Sequence, residues 1–367
     1  MISRRNLLGA SAAGALVAWH GPSLIAAQDS GGLKVAFVYV GPIGDMGWTY
    51  AHDQGRLELE KNVPGTTTTY VENVPETAAD AERVIRQLAQ DGNNIIVTTS
   101  FGYMDPTVTV ARDFPDTIFI HISGYKTADN VATAFGKIEE PRYVSGWLAG
   151  KMSASGSLGY VAAFPIPEVI RGINAFTIGV RAANPAARVK VVWTNTWFSP
   201  QDERLAAEAL LDGGADVIAQ HQDTAGPSQA AEAKGKFAIG YDSDQTSSAP
   251  KAILTCPIWH WGVYYTQLVK DVMAGTWKTN QYWGSWQDGL VDLSPLTDLV
   301  PADVKTAVEA EADKFKSGES SIFTVFAGPL NDQTGAEKVA AGKAMSAEDL
   351  LGMLWFVDGV DGEIPAS

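Results

Sequence analysis

The residue types most often used for covalent chemistry are sparse and badly spaced in this chain. Beyond the N-terminal segment there are four histidines, His52, His121, His221 and His260. None has the His-Glu-x-x-His spacing that places two imidazoles on one helix face for a metal. Cys256 is alone and has no neighbour that reads as an activating base. No Gly-x-Ser-x-Gly elbow or Gly-x4-Gly-Lys phosphate loop occurs. The first glycine-rich turn reads Gly41-Pro-Ile-Gly-Asp-Met-Gly47, with Pro42 where a dinucleotide site needs open backbone. These observations argue against an enzyme and predict no cofactor and no metal. What remains is a set of aromatic and acidic residues at the ends of apolar runs: Trp48, Phe101, Tyr103, Phe164, Trp197 and Trp259, with Asp45, Glu168 and Asp242. Aromatic rings stack on flat ligands at small rotamer cost. Carboxylates accept hydrogen bonds from ring N–H, amino or hydroxyl groups. The chemistry expected of such a set is the binding of a small planar compound. Each residue also has a plainer use, in core packing for the rings and in helix capping for Asp45.

These residues are placed by an alternation of strands and helices. Leu33 to Val40 is a short apolar run ending in the Gly41–Asp45 turn, and a helical pattern follows from Trp48 to about Lys61. Strands are predicted at 63–73, 94–99 and 117–121, with helices between them. The rhythm repeats with strands at 157–163, 188–193, 216–220 and 237–241. Such alternation predicts parallel sheets covered by helices on both faces, with binding residues in loops beyond the carboxyl ends of the strands. The fold class expected is α/β, in two Rossmann-like lobes joined by a hinge, with the ligand between them. The predicted division is a leader over 1–27, lobe one over 33–150 plus about 250–300, and lobe two over 151–249 plus about 301–367. From Ala252 onward, beginning with the strand Ile253–Thr255, the chain is expected to return to lobe one.

Arg4-Arg5 ahead of a weakly apolar stretch rich in Ala and Gly, ending near Ala26-Ala27, predicts a twin-arginine export signal. The stretch is too short for a membrane span; the one cysteine, Cys256, allows no intrachain disulfide, and the expected cleavage region has no cysteine to carry a lipid. The expected product is a soluble, non-lipidated periplasmic protein, monomeric and without nucleic-acid partners. The net charge of −15, more negative still without Arg4 and Arg5, repels phosphate backbones and anionic lipid.

Several ordered segments resemble the basic membrane protein family of substrate-binding proteins, relatives of the bacterial purine-nucleoside receptor. They are Val38-Tyr-Val-Gly-Pro-Ile-Gly-Asp-Met-Gly-Trp48, Gly146-Trp-Leu-Ala-Gly150, Gly159-Tyr-Val-Ala-Ala163, Asn174-Ala-Phe-Thr-Ile-Gly179 with Ala182-Ala-Asn-Pro185, Gly213-Gly-Ala-Asp-Val-Ile218 and Ala238-Ile-Gly-Tyr-Asp-Ser-Asp-Gln245. The resemblance implies the type I periplasmic binding fold of the ribose-binding kind, three crossings between lobes, and handover of the ligand to an ABC permease in the inner membrane. It implies that Trp48 and Trp197 sandwich a base and that Asp242 matches a ribose-binding aspartate. Two positions depart from the family pattern. Thr49 stands where an asparagine meets the base, and Trp259 where a lysine is expected. Both departures favour a purine nucleobase such as adenine over a nucleoside, because a tryptophan would fill the space of a sugar. The alternatives are a twin-arginine-exported oxidoreductase on a dinucleotide fold, or a ligand receptor for a membrane sensor.

Overall fold

A computed structural model describes residues 32–365; the export signal expected at 1–27 lies outside the described residues. The first sheet is built from β1 (Lys34–Val38), β2 (Thr67–Val71), β3 (Ile95–Thr98), β4 (Ile118–Ile122) and β5 (Val131–Gly136), with α1 (Trp48–Asn62), α2 (Ala78–Gln90) and α3 (Met104–Ala111) between strands. β1, β3, β4 and β5 are buried throughout except Lys34. Parallel strands covered on both faces have this composition of Val, Ile and Phe. α2 shows the complementary pattern. Ala81, Val84, Ile85, Leu88 and Ala89 form its buried stripe, and the Thr77 side chain caps it by accepting from the Asp80 N–H.

The second sheet follows α4 (Glu139–Met152). It comprises β6 (Ser157–Ala162), β7 (Arg188–Trp193), β8 (Val217–His221) and β9 (Phe237–Ile239), with α5 (Pro167–Ala183), α6 (Pro200–Asp212) and α7 (Gly226–Ala233). Proline occupies the first turn of α5, α6 and α7, where its missing N–H costs nothing. α4 and α5 pack backbone to backbone. A side chain on Gly146 would meet the Phe176 carbonyl oxygen at 2.1 Å, and one on Gly179 would meet that of Tyr143 at 2.0 Å. Gly146 and Gly179 therefore belong to the helix contact.

The chain then weaves between the sheets through β10 (Ile253–Thr255), β11 (Pro257–Trp259), α8 (Trp261–Met273), β12 (Gln281–Gly284), β13 (Val291–Leu293) and α9 (Ala302–Lys316). β11 and β13 form an antiparallel ribbon, while β12 joins β5 in the first sheet. The tail carries α10 (Ile322–Val325), the hairpin strands β14 (Leu330–Asn331) and β15 (Glu337–Val339), α11 (Ala347–Leu351) and β16 (Val360–Asp361). β16 pairs in parallel with β7, so the tail ends in the second sheet. The strand orders are β12-β5-β4-β3-β1-β2 and β10-β9-β8-β6-β7-β16. Both are doubly wound, with the order reversing between β1 and β3 and between β6 and β8. The chain crosses between sheets at β5–α4, at β10–β11 and after β13.

Two features differ from the sequence reading. The strand Ile253–Thr255 does not open the return to lobe one. β10 pairs with β9 at the edge of the second sheet, and the return begins at Pro257. A strand of only three buried residues, Ile253, Leu254 and Thr255, would fit either sheet, so composition carries no information on which. β5 and β12 were not anticipated. Gln281-Tyr-Trp-Gly284 is a half-exposed edge strand without an apolar run, and Val131-Ala-Thr-Ala-Phe-Gly136 follows β4 after a loop without a helix.

Candidate functional site

The carboxyl ends of the two sheets face each other across a narrow cavity, and clefts between domains are favoured places for small molecules. Val40, Trp48, Ser100, Phe101, Ser123 and Phe135 line it from the first sheet; Glu168, Trp197, His221, Asp223, Tyr241 and Asp242 line it from the second. The segments after β1, β3, β6 and β8 contribute half of these, and they flank the two points where strand order reverses. Ligands in doubly wound folds bind at such points.

Trp48 opens α1. The Asp45 carboxylate accepts from the Gly47 N–H (2.8 Å) and the Tyr50 N–H (3.0 Å), fixing the start of the helix. The Trp48 indole N–H donates to the Thr99 carbonyl at 2.5 Å. Its ring meets the edges of His52 (4.3 Å), Trp259 (5.4 Å) and Trp261 (5.7 Å). Trp259 stacks on Trp261 at 5.2 Å, and the His52 ring nitrogen Nδ1 bonds the Tyr265 hydroxyl at 2.6 Å. Burial keeps His52 neutral by pushing its pKa well down. Trp48 is thereby held on every side but the one facing the cavity.

Trp197 follows β7 on the opposite wall. Phe164 supports it edge-on at 5.0 Å, and its N–H donates across the cleft to Glu76 at 3.2 Å. Glu76 also accepts from the Gly102 N–H and the Ser100 hydroxyl. The two halves touch elsewhere. The Ser243 hydroxyl and the Gln245 amide donate to the Met46 carbonyl, and Gly47 packs so tightly on Asp223 that a side chain would overlap its carbonyl oxygen. Met46 itself takes a left-handed conformation (φ 61°), so its carbonyl is presented to the second half by an unusual backbone. The structure is a closed one.

Of the residues singled out from sequence, Trp48, Phe101, Glu168, Trp197 and Asp242 line the cavity. Asp45 is outside the lining and accepts from the Gly47 and Tyr50 N–H groups at the start of α1. Phe164 buttresses Trp197. Trp259 stands behind Trp48 and donates its N–H to Asp242 at 2.8 Å. Tyr103 is elsewhere: it is fully buried under the first sheet with Val38, Ile85 and Val110, and its hydroxyl donates to the Val74 carbonyl. A tyrosine one turn past a strand end can point along the cavity or back into the helix layer, and here the 3-10 turn Phe101–Tyr103 directs it back. Asp223, Tyr241, Ser123, Phe135 and Glu76 were not selected. Asp223 lies two residues past β8, in a carboxyl-end loop, and that position alone was a usable signal.

A family model described as "Bmp: ABC transporter substrate-binding protein PnrA-like" matches residues 33–324. The chain belongs to this family. The "Purine-binding protein" of Brucella abortus (strain 2308) is 47% identical over 334 residues, covering 91% of this chain and 94% of that protein. The "Putative ABC transporter glucose-binding protein TsgA13" of Haloferax volcanii is 38% identical, covering 91% and 82%. An ABC transporter solute-binding protein of known structure from Aeropyrum pernix K1 superposes with TM-score 0.69 at 22% identity, covering 78% of this chain and 92% of that one. The type I fold and the role of an ABC transporter substrate-binding protein follow. Among the described residues no helix is long and apolar enough to cross a membrane.

The site of this Bmp-family protein is electrostatically lopsided. Burial pushes the Glu168 carboxyl up to about 8, against a smaller opposing pull from Arg171. Burial also raises Asp45 to about 7 despite the backbone N–H groups it accepts, with Glu203 adding to the rise. Asp242 and Asp223 are raised well above the usual carboxylate range by burial first. Asp45 then adds to both. The Asp242 carboxylate uses one oxygen for Trp259 and leaves the other without a partner. The cation that draws on Asp242 is Arg142. It is fully buried, lies 3.8 Å from the centre of the Tyr241 ring, and donates to the Gln220 carbonyl.

Proposed function

We propose that the protein is the periplasmic receptor of an ABC importer for a purine nucleobase, adenine or a close analogue. The base is held flat between Trp48 and Trp197. The observation that carries this reading is the pair of indoles on opposite walls of one cavity, each with its N–H already used on protein, so that only their faces are offered to a ligand. Trp259 supports a base over a nucleoside. Its N–H occupies an oxygen of Asp242 that a ribose hydroxyl would otherwise take, and its ring fills the corner beside Gly136, where a side chain would come within 2.5 Å of it. The name of the Brucella relative agrees with this reading. Export through the twin-arginine route, action as a monomer and partnership with an inner-membrane permease belong to the same proposal.

Closure over the base would convert binding energy into a change of lobe angle that a permease reads. The tryptophan faces and carboxylates also suit a sugar, and the name of the Haloferax relative points there. Calorimetry with adenine, adenosine and glucose decides. Adenine should bind at least about tenfold tighter than adenosine and glucose, which corresponds to about 1.4 kcal/mol. Glucose binding tighter than adenine, or no binding of adenine below millimolar, would refute the proposal.

A further inference from the structure

The polar lining of the cavity is one-sided. Three carboxyl groups reach it, from Glu168, Asp223 and Asp242, and among the described residues no lysine or arginine does. Arg142 stands behind the Tyr241 ring, and Arg171 is paired with Glu139 at 2.8 Å. Asp223 is the most enclosed of those that accept no hydrogen bond from the protein. It is 4% exposed, and its Oδ2 has no hydrogen-bond partner. Its backbone N–H donates to the Trp197 carbonyl at 3.2 Å, which seats it beside that ring. Its neighbours include Asp45 and Asp242, both acids. Asp242, by contrast, already accepts the Trp259 N–H.

A buried carboxylate oxygen without a donor is costly, and a ligand N–H directed at it removes the cost. A ligand with a negative charge meets the opposite situation. It can enter only while all three acids stay protonated, because any member of the cluster that ionises repels it in a poorly screened space. Rejection by an unpaired group of the same sign is an economical form of specificity.

We infer that Asp223 is a specificity-determining residue that accepts an N–H of the ligand and, with Asp242 and Glu168, restricts the cleft to neutral or cationic planar bases, excluding anionic planar compounds of the same size. This rests on the purine reading above and narrows it to donor-rich members without a negative charge. Adenine and urate are a suitable pair, since both are flat fused bicycles and urate is an anion at neutral pH.

The test is calorimetry of both compounds on the full chain and on Asp223→Asn, with melting temperatures recorded for each protein. Adenine should bind to the unmodified protein and urate at least about a hundredfold more weakly, with the adenine-to-urate ratio falling by about tenfold or more in D223N. A generally loosened fold would weaken both compounds and leave the ratio unmoved. Urate within about threefold of adenine on the unmodified protein would overturn the inference and leave the purine reading standing. So would an unchanged ratio in a folded D223N. If neither purine binds, the purine reading fails, and the inference falls with it.

Discussion

The two indole walls of the cleft are built differently. Trp48 is enclosed by His52, Trp259 and Trp261, and its N–H bonds a carbonyl of its own half of the molecule. Trp197 rests on a single ring, Phe164, and its N–H reaches Glu76 in the opposite half. The hydrogen bond of the first wall lies within its own half and does not span the cleft. The second completes its hydrogen bonding only on closure. A preorganised platform paired with a closure-dependent one allows a ligand to dock on Trp48 and be captured by Trp197.

The largest expected effect is that of Trp48→Ala. Removing the platform should cost about 1–3 kcal/mol of binding. It should also lower fold stability by an amount of the order of 3 kcal/mol, because the surrounding rings lose a packing partner. Trp197→Ala should lose similar affinity with little change in melting temperature. Equal melting losses in the two variants would erase the contrast between the walls.

Trp259→Phe should come next. It keeps most of the ring behind Trp48 but removes the N–H from Asp242, leaving a second buried oxygen without a donor at a cost of about 1–3 kcal/mol. Thermal melting measures this cost. The adenosine-to-adenine affinity ratio, read on the same protein, should rise because an oxygen is freed for a ribose hydroxyl.

The pH response should be intermediate. A carboxyl raised in the folded protein favours the fold while protonated, and that contribution fades as pH climbs through the folded value. For Glu168 the window runs from 4.5 to about 8, and for Asp45 from 3.8 to about 7. The ligand-free protein should therefore melt at progressively lower temperature between pH 5 and 8, roughly the span of those windows. Glu168→Gln should flatten the upper part of the curve. A melting temperature that rises with pH across that window would contradict the assignment.

Glu76→Gln should have the smallest effect, about 0.5–1.5 kcal/mol, seen as faster ligand release in stopped-flow measurements rather than slower capture. The carbonyl oxygen of the amide can replace only part of the bonding to Trp197, Ser100 and Gly102.

Much of this architecture was legible in the amino-acid sequence, because burial on both faces of a parallel sheet writes itself as short apolar runs such as Ile95–Thr98. Trp48 and Trp197 stood out as large rings in the segments that follow such runs on opposite lobes. The edge strands were less legible. β12 is half-exposed, and β10 is three residues that either sheet would accept. Tyr103 was misplaced because one turn of 3-10 helix decides whether a ring faces the cleft or the core, and neither hydropathy nor spacing encodes that turn. Asp223 was passed over although its place two residues past β8 was a signal, and its nearness to Asp45 and Asp242 arises only in the folded chain. Trp259 was placed near the site from its position, but its bond to Asp242 exists only because the second crossing brings β11 alongside the loop that follows β9.

The most direct test of the central claim is a crystal structure of the full protein grown with adenine. The account predicts the base lying flat between the Trp48 and Trp197 rings, with an N–H directed at Asp223 and no space beside Trp259 for a sugar. A base bound outside this cavity, or standing edge-on to the two indoles, would contradict it.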